Sequence, residues 1–398
     1  TTRLVGSEMC IRDRVIDRSG TSAEKVEGLK HIWGRTDLIP LWVADMDFAT
    51  APFVTDAIRK RCENEVLGYT GKPDSYYNAI INWVKQRYDL IVTKEVINFV
   101  PGIVPGIGMA MNCFTQKGDK VMIQPPVYHP FAWVTTRNER TLVINPLRWE
   151  NGMYRMDLDA FREQIKGCKL FILCNPHNPG GVVWTEAELR AIADICYDEK
   201  VLVFSDEIHA DLTLPPHTHR PFATVSEKAR MNSVTFMSPS KAFNMPGLSA
   251  SHALIFNEDL RKRFRIYMDA GELDMGHVFA FLSVEAAYSH GTEWLDQCLA
   301  YIQGNIDFVD EFLKKHAPKI KAIRPEASYL VWLDCRELEL SQKDLNEFFV
   351  DKAHLALNDG EMFGKEGIGF MRLNVASPRC IIEKAMKQLA DAYQLYIK

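Results

Sequence analysis

Residues 169–204, KLFILCNPHNPGGVVWTEAELRAIADICYDEKVLVF, decide the architecture. The run 169–174 is almost continuously apolar, the pattern of a strand covered on both faces. Residues 175–181 (NPHNPGG) cannot continue it and read as loop, because proline and glycine punctuate both strand and helix. Thr185 and Glu188 then stand at capping-box spacing, with Glu188 reaching back from the third helical position to the N-cap. Leu189, Ile192, Ala193 and Cys196 recur at helical spacing, and residues 201–204 supply the next buried strand. Strand, helix, strand in this order makes a parallel pair, so the chain is α/β with a mostly parallel central sheet.

Open parallel sheets bind ligands beyond the carboxyl ends of their strands. Three polar clusters fall at such ends: residues 175–178, 205–209 and 238–241. The strand and helix alternation extends from about residue 98 to 257. After about residue 291 it gives way to amphipathic helices over 294–315, 343–354 and 381–396, with strands at 329–333 and 370–374. The expected division is a large domain over 49–290 and a smaller α/β C-terminal domain over 291–398, which the segment 15–48 joins. A cleft between them is the default ligand site. Residues 1–14 (TTRLVGSEMCIRDR) carry neither an apolar core nor any period, and read as a non-native leader set aside from the fold.

The chain has 398 residues, 47% hydrophobic and 25% charged, enough for a large core and two domains. A formal charge of -5 leaves no basic face, which argues against a nucleic-acid partner. Nine cysteines include no C-x-x-C pair, the usage of reduced thiols in a cytoplasmic protein. No apolar run approaches the roughly 20 residues that span a bilayer.

The chemistry centres on residues 238–244, SPSKAFN. Lys241 lies just past the apolar run 233–237, where a lysine is either a solvated surface charge, the commoner case, or, partly desolvated, a neutral nucleophile able to form a Schiff base. The same S-x-x-K occurs in serine hydrolases of the penicillin-binding type, but their S-D-N and K-T-G companions are absent from the sequence. Asp206 follows the strand 201–204 and either caps a turn or pairs with a protonated ring nitrogen. Residues 102–108 (GIVPGIG) lie between a strand at 97–100 and an apolar helix expected over 109–114, as a tight turn or a phosphate cradle. Tyr128, after the strand 121–123, either packs a proline-rich loop or stacks on a flat ring. His217 and His219 have no third ligand nearby, and no metal site is assigned.

Together these residues resemble the pyridoxal phosphate enzymes of fold type I, the aspartate aminotransferase superfamily of class I and II. The resemblance runs from about residue 15 to the C-terminus. Within that fold the chain looks most like the carbon–sulfur lyase branch, the MalY and PatB type of cystathionine β-lyase. Five stretches carry the match: 42–48 (WVADMDF), 68–70 (GYT), 175–180, 205–209 and 238–244. The resemblance implies that Lys241 binds pyridoxal 5'-phosphate covalently and that Asp206 pairs with its pyridine nitrogen. It implies further that Asn178 meets the ring hydroxyl, that Tyr128 stacks on the ring and serves the reaction, and that His209 lies beside the cofactor. Ser238 and the amides of Ile103 and Val104 would hold the phosphate, and Tyr69 would reach it from the other subunit of a homodimer. Arg372 would clamp the substrate carboxylate, with Ala44 also at the substrate.

Two departures from ordinary aminotransferases point to the lyase branch. His209 stands where a tyrosine is usual, and Ser249 where an arginine is usual. The expected activity is α,β-elimination from cystathionine or a related cysteine S-conjugate, giving a thiol, pyruvate and ammonia. The alternatives are an aminotransferase, or a regulatory protein that retains the cofactor.

Overall fold

The structure is a computed structural model that describes residues 14–397. The expected leader therefore lies outside the described residues except for Arg14. The central sheet has seven strands: β1 (Ile97–Val100), β2 (Lys120–Ile123), β3 (Thr141–Ile144), β4 (Cys168–Cys174), β5 (Leu202–Asp206), β6 (Ser233–Met237) and β7 (Ser251–Leu254). Their order is β1-β7-β6-β5-β4-β2-β3, and only β7 runs antiparallel to its neighbours.

The near-continuous apolar run of β4 has a direct cause. Leu170, Ile172 and Cys174 enter one core cluster together with Leu202, Phe204, Val234 and Phe236, whereas Phe171 and Leu173 enter another with Val203. Both faces are covered, so neither needs polar residues. The expected capping box is present: Glu188 N–H donates to Thr185 Oγ1 at 3.2 Å and Thr185 N–H donates to Glu188 Oε2 at 2.8 Å. It starts the helix Glu186–Asp198, whose stripe of Leu189, Ile192, Ala193 and Cys196 is buried.

One boundary differs from the sequence reading in a way that matters to the site. Helix α1 spans Ile103–Phe114 and so begins six residues before the expected start at 109. Pro105 is tolerated because it is the third helical residue, where an N–H has no intrahelical acceptor to lose. Gly106 is there for closeness: a Cβ on it would lie 2.9 Å from Val100 Cγ2 and 3.1 Å from a carbon of the Phe236 ring. These breakers thus let α1 lie against β1 and β6, with its free amides at Ile103 and Val104.

Beyond the central sheet, β8 (Lys321–Ile323), β9 (Leu330–Asp334), β10 (Asn358–Asp359) and β11 (Phe370–Asn374) form an antiparallel sheet in the order β8-β9-β11-β10. The helices expected over 294–315 and 381–396 are Thr292–His316 and Arg379–Tyr396. The one expected over 343–354 is an α-helix, Gln342–Glu347, that widens into a π-helical turn over Phe348–Lys352. Ile39–Pro40 pairs in parallel with Leu355–Ala356 as a separate two-stranded sheet, which ties this early segment to the residues just before β10.

Gly106→Ala is expected to lower stability by about 1–3 kcal/mol through overpacking of α1 on β1 and β6, read as a reduced urea midpoint. An unchanged midpoint would show that α1 does not need this close approach.

Candidate active site

A cavity of about 210 Å³ opens at the carboxyl ends of β4, β5 and β6, beside the first turn of α1. Of the residues expected at a site, Ala44, Ile103, Val104, Tyr128, Asn178, Asp206, His209 and Lys241 line it. Arg372 is buried and joins the group through Asn178, whose Oδ1 accepts from Arg372 Nη1 at 3.1 Å. Ser238 is buried just behind the lining, its hydroxyl donating to Ala250 O at 2.8 Å with Ser240 Oγ also 2.8 Å away. The serine hydroxyls on the lining itself belong to Ser240, Ser249 and Ser251. Tyr69 is not part of the cavity and is 98% exposed.

The charges of this site lack charged partners. Asp206 accepts one hydrogen bond, from Ile208 N–H at 3.1 Å, and burial pushes its carboxyl up to about 7. Lys241 Nζ donates to Ala44 O at 2.6 Å, and burial, with the nearby Arg372, brings its amine down to about 8. Arg372 is lowered to about 10 by burial and donates only to neutral acceptors. Among the described residues no ion pair within 4 Å involves any of the three. Isolated charges out of water are costly unless something complementary meets them. His209, lowered to about 3 by burial, is a neutral ring in the same wall.

This arrangement fits pyridoxal phosphate. A buried acid without a cation suits a protonated ring nitrogen, and a lysine near neutrality suits a covalent bond to an aldehyde. The first turn of α1 offers free amides to a phosphate, with the hydroxyls of Ser240, Ser249 and Ser251 around them. A buried arginine with neutral partners suits a carboxylate.

A family profile described as aminotransferase class I and II matches residues 36–389. The chain belongs to this family. Its fold is accordingly the fold type I arrangement of a mostly parallel sheet with a second, smaller one. Cystathionine beta-lyase PatB of Bacillus subtilis (strain 168) is 37% identical over 382 residues, covering 96% of this chain and 99% of that protein. Protein MalY of Escherichia coli (strain K12) is 30% identical over 383 residues, covering 95% and 97%. Among solved structures, cystalysin from Treponema denticola, which contains a pyridoxal 5'-phosphate cofactor, superposes with a TM-score of 0.94 at 33% identity, covering 97% of this chain and 99% of that one. The PLP-bound C-S lyase from Staphylococcus hominis superposes with a TM-score of 0.88 at 34% identity, covering 96% and 97%.

In this aminotransferase-family chain, several residues that shape the site escaped the sequence reading. Asn244 accepts from Met46 N–H at 3.0 Å and donates to Met46 O at 3.0 Å and Phe48 O at 2.7 Å. Asn374 donates to Val43 O and Asp45 O, each at 2.7 Å, and Tyr329 Oη donates to Ala44 O at 2.9 Å. All three hold the strap 42–48 against the cavity. Asn244 lies inside the 238–244 motif and was open to discovery; the other two carry no local signal. His219, read as half of a possible metal pair, lies with its Nε2 2.8 Å from Glu207 Oε2 in the buried layer under Asp206.

Because the neutral amine is the nucleophile, uptake of pyridoxal phosphate by the cofactor-free protein is expected to accelerate with pH through a midpoint near 8. Stopped-flow growth of visible absorbance measures it. A midpoint near the ordinary lysine value would contradict a desolvated Lys241.

Proposed function

We propose that this chain is a pyridoxal phosphate-dependent carbon–sulfur β-lyase, cleaving cystathionine or a related cysteine S-conjugate to a thiol, pyruvate and ammonia. The observation that carries the reading is the set of Asp206 and Lys241 on the cavity wall and Arg372 behind Asn178, the acid and the arginine buried and the lysine partly so, none with a charged partner, in a chain 37% identical to a cystathionine β-lyase over nearly its whole length.

When bound, the cofactor supplies an electron sink for a carbanion at the substrate α-carbon. Arg372 receives the substrate carboxylate, and its planar fork fixes the amino acid in one orientation. Lys241, neutral near its lowered pKa, takes the α-proton as general base. Asp206 would pair with a protonated ring nitrogen, and that cation would stabilise its carboxylate. Tyr128, on the cavity wall, would lie against the ring, and burial keeps its hydroxyl protonated as a donor in the cavity. The Cβ–S bond then breaks with both its electrons leaving on sulfur while the carbanion pair forms the Cα=Cβ bond, and water hydrolyses the released enamine to pyruvate and ammonia.

We infer a homodimer in which Tyr69 of the partner subunit reaches the phosphate. The exposure of Val66 (71%), Leu67 (58%) and Tyr69 (98%) on one loop supports a second copy of the chain as its cover. It compensates for Ser249, which brings no cation to the phosphate end of the cavity. A cytoplasmic setting agrees with eight free cysteines among the described residues and with the absence there of any helix long and apolar enough to cross a membrane.

The aminotransferase reading uses the same Lys241, Asp206 and Arg372 and differs in needing a keto acid acceptor. Purified protein incubated with cystathionine alone is expected to release pyruvate and free thiol at equal rates. Turnover only after addition of a keto acid would transfer the assignment to transamination. Lys241→Ala is expected to reduce pyruvate release by about 10³-fold or more, with loss of the visible band. Tyr69→Ala is expected to weaken cofactor retention on gel filtration while leaving Lys241 intact; full retention would remove Tyr69 from the phosphate site.

A further inference from the structure

Arg372 is surrounded by neutral acceptors even though an acid stands one residue away from it in the sheet. Its Nη2 donates to Asn358 Oδ1 at 2.6 Å and to Trp42 O at 3.1 Å, and its Nη1 to Asn178 Oδ1 at 3.1 Å. The ring of Phe363 lies 4.9 Å from the guanidinium carbon. Asn358 and Arg372 are direct cross-strand partners in β10 and β11, so their side chains leave the sheet on the same face. The next residue, Asp359, carries a carboxylate on the opposite face. There it is held by Gln342 Nε2 at 2.6 Å, Asn346 Nδ2 at 2.5 Å and Glu361 N–H at 2.8 Å. A shift of one residue in this register would bring that acid against Arg372.

We propose that Asn358 is a specificity-determining positioning residue, which fixes Arg372 through an uncharged acceptor and so leaves the whole guanidinium charge for the carboxylate of an α-amino acid. The inference rests on the reading that Arg372 receives that carboxylate. An aspartate at 358 has the same shape and an even better acceptor, but it neutralises the arginine before substrate arrives. An alanine removes the acceptor and leaves the charge. The two roles therefore predict opposite orders: a residue that only steadies the guanidinium is replaced better by aspartate, and one that keeps it uncompensated is replaced better by alanine.

The test uses holoenzyme variants N358D, N358A and R372A, titrated with L-alanine, which has the amine and carboxylate but no leaving group, and followed by visible absorbance. The expected result is a Kd for L-alanine raised about tenfold or more in N358D and by less in N358A. On cystathionine, KM follows the same order while kcat changes by less than about threefold. A rise in N358D no larger than that in N358A overturns the proposal. If R372A leaves the L-alanine Kd unchanged, the reading of Arg372 itself falls; if R372A weakens binding and N358D does not, only the role of Asn358 falls. Should N358D fail to retain cofactor, N358A decides alone. A Kd within about threefold of the parent supports the proposal because the charge is intact, and a larger loss overturns it.

Discussion

The structure depends on the cost of keeping charge out of water. Asp206, Lys241 and Arg372 come from β5, the turn after β6 and β11; Asp206 and Arg372 are buried, Lys241 is partly buried, and none has a charged partner. Such groups persist only where a rigid frame prevents them from reaching solvent or each other. The central sheet is that frame: β5 and β6 are buried along their whole length, and helices and loops cover both faces. Its strand ends fix Asp206 and Lys241 on one rim, and β11 brings Arg372 to the other side of the same cavity.

The strap 42–48 shows the same constraint acting on backbone. It has no strand neighbour along most of its length, so its carbonyls must find side chains. Arg372 takes Trp42 O, Asn374 takes Val43 O and Asp45 O, Lys241 and Tyr329 share Ala44 O, and Asn244 takes Met46 O and Phe48 O. Beneath it Lys25, fully buried, pairs with Asp47 at 2.7 Å, and Arg18 pairs with Asp45 at 2.6 Å. Lys241 and Arg372 therefore hold the strap as well as belonging to the candidate site. The tie at Ala44 O is shared between Lys241, after β6, and Tyr329, just before β9, which couples the lysine to the position of the second sheet.

What was legible in the sequence was local. The buried strands, the capping box at Thr185 and Glu188, and the polar clusters after β4, β5 and β6 follow from period and chemistry over a few residues. The start of α1 was misplaced because Pro105 and Gly106 read as breakers; the contact of Gly106 with Val100 and Phe236, which explains the glycine, lies across the fold. Ser238 stands out by its spacing from Lys241, while the serine hydroxyls on the cavity wall belong to Ser240, Ser249 and Ser251. Tyr69 shows the limit most plainly, since in a single chain it faces solvent.

The sequence by itself determined the parallel sheet, the rim on which function sits and the identity of its charged residues, because hydrophobic period and turn chemistry act between neighbours in the chain. Only the tertiary structure decided which neutral groups surround those charges. Asn358 rather than Asp359 faces Arg372, and Ala44 O rather than a carboxylate receives Lys241. Those pairings join residues far apart in sequence, and they are set by strand register and by the burial that makes every unpaired charge count.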